Sequence, residues 1–118
     1  MKFENIADDL NLAKIAALES GKLLVKSKNE FNERLNIHSK DTKLRADIES
    51  ENLIKSLLSG NSDYPILAEE SGSSSEDLGD IFWVVDPLDG TANYHRDIPI
   101  SCVSIGLVHQ MNPILGVI

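Results

Sequence analysis

The chain has 118 residues, 42% of them hydrophobic and 25% charged, a size and apolar share suited to one globular domain with its own core. A single cysteine, Cys102, excludes an internal disulfide framework and fits a reducing compartment. Nineteen Asp and Glu against eleven Lys and Arg leave a net charge of −8, which repels phosphate backbones and argues against duplex nucleic acid as a partner. No apolar run approaches the roughly 20 residues of a membrane span. The N-terminus soon reaches Asp8 and Asp9 without the apolar core of a signal peptide, so a cytoplasmic location and no membrane partner are expected.

From Asn5 to about Lys28, Ile6, Leu10, Ala13, Ala17 and Leu24 recur mostly at three- and four-residue steps. Leu12, Ile15, Ala16, Leu18, Leu23 and Val25 widen the stripe, and the pattern predicts an amphipathic helix. Asn29 to Lys40 reads as a polar connector. A second helix is predicted from near Leu44 to Leu58, on Leu44, Ile48, Leu53, Ile54, Leu57 and Leu58, with Gly60-Asn61-Ser62-Asp63 as its stop.

After Gly60 the period shortens. Pro65-Ile66-Leu67-Ala68 is a short apolar run that ends in Glu69-Glu70-Ser71, and Gly72 to Asp77 reads as a polar, flexible loop. Ile81 to Val85 is β-branched and aromatic, which predicts a buried strand ending on a second acid, Asp86. Val103, Ile105 and Leu107 alternate with small residues from Cys102 to Val108. His109 to Asn112 is a turn, and Pro113 to Ile118 begins another strand, which makes a hairpin. Two helices followed by a run of strands imply an α+β layered fold.

The chemistry gathers where two strands end in acids. A strand end is a rigid mount for a carboxylate. Pro87 forces Asp86 toward extended backbone and implies a sharp turn, while Gly90 permits a geometry that a side chain would obstruct. Asp86 and Asp89 could reach one cluster from that turn, and converging carboxylates repel unless a hard cation neutralises them. Oxygen-only ligation favours Mg²⁺ or Mn²⁺ over Zn²⁺. Asp-Pro and Asp-Gly are also ordinary turn dipeptides, so spacing alone leaves both a metal site and a plain turn open.

The string Asp86-Pro87-Leu88-Asp89-Gly90-Thr91-Ala92-Asn93-Tyr94 closely resembles the signature of the inositol monophosphatase family, one branch of a group of Mg²⁺-dependent, lithium-sensitive phosphatases. Glu69-Glu70-Ser71, Lys40-Asp41 with Ala46-Asp47, and Ser104-Ile105-Gly106 match in order and spacing, so the resemblance spans essentially the whole chain. It implies a layered α/β sandwich of the inositol monophosphatase and fructose-bisphosphatase type, with two helices followed by a largely antiparallel sheet. Residues 1–118 are then expected to be its N-terminal part, since the family's catalytic unit is roughly twice as long.

The resemblance also implies roles. Glu69, Asp86 and the Leu88 carbonyl would hold a first metal, and Asp86 and Asp89 a second, within a set of two or three Mg²⁺ ions. Asp89, Gly90 and Thr91 would face the substrate phosphate, the last two through backbone N–H groups at the start of a short helix. Asp47 and the Thr91 hydroxyl would orient the attacking water, with Glu70 beside the metals. Two cations about 4 Å apart would neutralise phosphate oxygens and acidify water, giving direct hydrolysis without a phosphoenzyme. The expected substrate is a small phosphorylated molecule, inositol monophosphate or a related sugar or polyol phosphate. A 3′(2′),5′-bisphosphate nucleotidase is the alternative within the class. It is disfavoured because Asn93-Tyr94 stands where nucleotidases more often carry Lys-Glu.

The family's second half supplies a further metal-binding Asp and the residues that read the ring. A chain ending at Gly116-Val117-Ile118, in an apolar strand, therefore allows a reading of another class: a non-catalytic remnant that binds a partner half. The family commonly dimerises, so a homodimer is the other expected partner. His38, His95 and His109 lack ligand spacing, Arg96 reads as an ordinary surface cation, Trp83 as core and Cys102 as a small buried hydrophobe. Ser73 to Ser75 reads as a mobile loop that in the family lies close to the metals.

Overall fold

The structure, a computed structural model, describes residues 5–31 and 44–118; His38 and the Lys40-Asp41 pair lie outside them. Asn5 opens α1 (Ile6–Lys26) by accepting the Asp8 amide on its side-chain oxygen at 3.3 Å. Asp8 and Asp9 in the first turn and Lys26 in the last complement the helix dipole. The buried stripe is narrower than the sequence implies. Ala13, Ala16, Ser20 and Leu24 are buried, whereas Ile15, Leu18 and Val25 are exposed. Small residues on the inner face allow α3 (Arg45–Asn61) to pack closely against α1.

The first helix stops at Ser27, and the expected connector begins instead as a helical turn, α2 (Lys28–Phe31). The α3 helix overruns its predicted end at Leu58 and contains Gly60. In this last turn Ser59 Oγ donates back to the Lys55 carbonyl at 2.6 Å and Asn61 Nδ2 to the Leu57 carbonyl at 2.9 Å, so both polar side chains bond within the helix.

Five strands follow: β1 (Ile66–Ala68), β2 (Gly72–Ser73), β3 (Ile81–Asp89), β4 (Cys102–His109) and β5 (Asn112–Val117). They form one sheet in the order β2-β1-β3-β4-β5, with β1 and β3 parallel and the other pairs antiparallel. A short helix, α4 (Thr91–His95), joins β3 to β4. The helices lie on one face, α3 over β3 and α1 over β4 and β5, giving the expected α+β layering.

The core lies between helices and sheet. Val103, Ile105 and Leu107 point inward in the predicted alternation, together with Ile81, Trp83 and Val85 of β3. Trp83 is fully buried, as expected, and its indole N–H donates to Ser62 Oγ at 3.2 Å. The Gly72 to Asp77 segment is not a free loop. Gly72 and Ser73 pair with β1, and Ser74 exchanges two hydrogen bonds with Ile66, its amide donating to the Ile66 carbonyl and its hydroxyl accepting the Ile66 amide, both at 2.8 Å.

The β3 strand also differs from expectation. It does not end at Asp86 but runs on through Pro87 to Asp89. Asp86 pairs with Ser104 and Asp89 with Cys102, so β3 carries one residue more than β4 across this stretch. The sharp turn expected at Pro87 is therefore a β-bulge, the form in which a strand tolerates a proline that has no amide for the ladder. The reversal comes later, at Gly90, whose φ of 87° is left-handed. A Cβ there would lie 2.8 Å from the Ile100 carbonyl, so only glycine fits.

The β4–β5 hairpin turns on Gln110 (φ 49°) and Met111 (φ 66°), the sign pattern of a type I′ turn, which favours Asn-Gly. Two side-chain-bearing residues in the left-handed region store strain. Replacing exposed Met111 by glycine is expected to stabilise the chain by about 1 kcal/mol, read as a rise of a few degrees in thermal midpoint. An unchanged or lower midpoint would show that the turn is relaxed.

Candidate active site

Parallel pairing of β1 with β3 aligns Ala68 with Val85, and the next residues along the two strands are the acids Glu69 and Asp86. The Glu69 amide donates to the Val85 carbonyl at 3.1 Å, so the register continues to the acids. Leu67 and Val84 lie on the sheet face away from the helices, and by strand alternation Glu69 and Asp86 share it. That face forms a cleft of about 580 Å³ lined by Leu67, Glu69, Val84, Asp86, Ser104 and Gly106.

Within the cleft the Glu69 and Asp86 carboxyls come close enough to each other to govern how Glu69 titrates. The hydrogen bond to Asp86, then burial, then the charges of Asp86, Glu70 and Asp47 push the Glu69 carboxyl up to about 8. Two carboxylates this close oppose each other's ionisation, so Glu69 holds its proton well above the ordinary carboxylate range. Asp86 Oδ1 also accepts the Leu88 amide at 3.2 Å, which pins the bulge to the acid it follows.

Beneath the bulge stands Asp47, in the first turn of α3 and only 2% exposed. Its Oδ2 accepts the Leu44 amide at 2.8 Å, the carboxylate half of a capping box, and its Oδ1 accepts the Thr91 hydroxyl at 2.9 Å. Burial raises the Asp47 carboxyl above its ordinary value, Leu44 and Thr91 oppose the shift, and the Glu70 charge adds to it. The Thr91 hydroxyl is also 3.1 Å from the Leu88 carbonyl. With one proton to give, it serves one of these oxygens at a time and leaves the other free to accept elsewhere. Gly90 is the N-cap of α4, so the first amides of that helix lack intrahelical carbonyls.

The structure thus brings Glu69 to Asp86, and Asp47 to Thr91 and the Leu88 carbonyl, with Glu70 acting electrostatically on Glu69 and Asp47. Asp89 is less engaged: it is exposed, and its carboxylate lies 3.9 Å from the Cys102 sulfur. Among the described residues no three acidic, thiol or imidazole groups already stand at the spacing of a metal's ligands. Cys102 is not the buried hydrophobe expected but a half-buried neighbour of Asp89. Burial, then the charges of Asp89 and Asp86, raise its thiol, which keeps it protonated and a poor ligand.

Two further residues join the site. Ser50 Oγ donates to the Pro87 carbonyl at 2.7 Å and is bonded in turn to Ser20, and Glu51 accepts the Glu70 amide at 2.8 Å. Their signal in the sequence is a polar break, at helical spacing from Asp47, in the stripe that continues as Ile54 and Leu58.

Residues 6–118 match the sequence pattern described as the inositol monophosphatase family. The chain belongs to that family. It is 37% identical to the fructose-1,6-bisphosphatase/inositol-1-monophosphatase of Aquifex aeolicus over 98% of its own length and 44% of that protein's. It is 50% identical to the inositol-1-monophosphatase of Synechocystis over 48% of its length and 20% of the relative's. Among solved structures, the extragenic suppressor protein suhB from Bartonella henselae superposes with a TM-score of 0.83 at 32% identity, covering 93% of this chain and 44% of that one. The chain therefore spans less than half the length of these family members. Among its described residues no helix is long and apolar enough to cross a membrane.

The family's need for divalent cations suits the donor set found here. The clustered groups offer oxygen only, and the raised Glu69 carboxyl marks negative charge that a cation would answer. The Glu69 proton has a measurable consequence without any metal. A Glu69 carboxyl that titrates near 8 in the fold and at its ordinary value in the unfolded chain holds its proton more tightly when folded. Stability therefore falls as pH rises from about 4.5 to about 8, because the unfolded state binds fewer protons across that window. In chelator-treated protein, Glu69→Gln should flatten this fall and raise the midpoint more at pH 8.5 than at pH 4.5. Parallel curves for variant and wild type would refute the raised Glu69 carboxyl.

Proposed function

We propose that this chain is the N-terminal half of a metal-dependent phosphomonoesterase acting on inositol monophosphate or a related sugar or polyol phosphate by direct attack of water. The observation that carries the reading is the meeting of Glu69 and Asp86 at the ends of two parallel strands, beside the Asp47–Thr91 pair. The names of the Aquifex and Synechocystis relatives support the substrate class. A cytoplasmic location and a second half of the catalytic unit, in the same chain or another, belong to this reading.

Glu69, Asp86, Asp89 and the Leu88 carbonyl are the groups that would hold Mg²⁺. When bound, the ions would neutralise phosphate oxygens, acidify a water and stabilise the departing alkoxide. The remaining work falls to the chain itself. Asp47 is the base side of an Asp47–Thr91 pair whose hydroxyl is already held at 2.9 Å, so the pair can orient a water and accept its proton at Asp47 Oδ1. The left-handed turn at Gly90 brings the chain round from β3 into α4, and the Gly90 and Thr91 amides at that turn would face the phosphate. Asp86 serves two ends, since the carboxylate that would hold metal also fixes the Leu88 amide and hence the bulge.

The test is phosphate release from inositol 1-phosphate with and without Mg²⁺, by the 118-residue chain alone and joined to a C-terminal half from a relative. Asp86→Asn is expected to lower the active form's rate by well over tenfold, and Thr91→Ala to lower it while leaving metal affinity nearly unchanged. Faster hydrolysis of adenosine 3′,5′-bisphosphate than of inositol 1-phosphate would make the enzyme a nucleotidase. No Mg²⁺-stimulated hydrolysis in either form would leave a partner-binding remnant in place of an enzyme.

A further inference from the structure

A buried carboxylate is costly unless its charge is answered, and one such group has no part in the chemistry above. Glu51 is 2% exposed in the middle of α3. Its Oε1 accepts the Glu70 amide at 2.8 Å. Asp47, Ser50 and Glu51 stand at i, i+3 and i+4 and therefore share one face of the helix. Each takes hold of a different segment of the site: Asp47 the Thr91 hydroxyl, Ser50 the Pro87 carbonyl, Glu51 the Glu70 amide.

The third contact falls where the sheet stops helping. The β1–β3 ladder ends with the Glu69 amide on the Val85 carbonyl, and the next amide, that of Glu70, donates to Glu51 instead of to a strand. Glu51 supplies the acceptor at that point. We propose that Glu51 is a positioning residue for the candidate cation site, holding the Glu69–Glu70 turn so that the Glu69 carboxylate stands against Asp86. The assignment rests on reading that cluster as a cation site. The contact requires an oxygen at that length of side chain and does not require the charge.

Mn²⁺ titration of the 118-residue chain, alone and joined to a C-terminal half from a relative, followed by electron paramagnetic resonance, reads the consequence, and hydrogen exchange of the Glu70 amide reads the contact. Glu51→Gln keeps the acceptor and is expected to bind Mn²⁺ within about threefold of wild type. Glu51→Met keeps the length without the oxygen and should weaken binding by about tenfold or more, with faster exchange at Glu70. Glu51→Asp, charged but too short to reach, should behave like Glu51→Met and serves in its place if that variant does not fold. A folded Met or Asp variant with an exposed Glu70 amide and wild-type Mn²⁺ affinity would overturn the assignment alone. Wild-type protein that takes up no Mn²⁺ either alone or joined to the C-terminal half would overturn the cation reading and this assignment with it.

Discussion

The parallel pairing of β1 with β3 is the constraint on which the site depends. Two strands that each carry an acid just past their last paired apolar residue put those carboxylates together only if they run in the same direction and in the observed register. Antiparallel pairing would place the acids at opposite ends of the sheet, and a slip of one residue would turn one of them toward the helices. The register is secured from the core side. Ile66 and Ala68 of β1 and Trp83 and Val85 of β3 are buried on the helix face, so the apolar pattern that packs the core also aims the acids at the open face.

The bulge in β3 solves a second problem of the same kind. A regular strand would send Asp86 and Leu88 to one face and Pro87 and Asp89 to the other. The extra residue breaks that parity, so Pro87 and Leu88 can both be buried while Asp89 emerges exposed beyond them. The irregular backbone is held by Asp86 on the Leu88 amide and by Ser50 on the Pro87 carbonyl. A proline therefore sits inside a strand without leaving a buried polar group unanswered. Among the described residues every buried side-chain nitrogen and oxygen has a hydrogen-bond partner.

Much of this architecture is legible in the amino-acid sequence. Alternation at Val103, Ile105 and Leu107 and the aromatic run to Val85 announce the inner strands, and the Asp86 to Tyr94 string announces the family. What escapes is long-range. Ser73 and Ser74 look like loop residues because their partners lie on another strand, in β1. Gly60 looks like a stop because glycine is common just past a helix end, whereas here the helix runs one residue beyond it, to Asn61. Ile15, Leu18 and Val25 look like core because periodicity counts apolar residues without saying which side finds a partner. The site divides in the same way. Glu69 and Asp86 are readable from the acids that follow two apolar runs, whereas Glu51 and Ser50 acquire meaning only once α3 lies across the bulge.

The acids of the site fall into two physical classes, and the division accounts for what each can do. Asp47 and Glu51 are 2% exposed, and both accept a backbone amide; Asp47 also accepts a hydroxyl and enjoys the helix N-terminus. Their burial is supported by donors already in the fold, so they fix backbone. Glu69 and Asp86 stand on the open face, where the nearness of Asp86 raises the Glu69 carboxyl so that it keeps its proton. That arrangement is the one a cation would displace, because a divalent ion satisfies both charges where a proton satisfies one. Carboxylates that fix backbone are satisfied from within, and those on the open face are left for a group from outside the fold to answer. Placing the first kind on a helix and the second along paired strands keeps the two from exchanging roles.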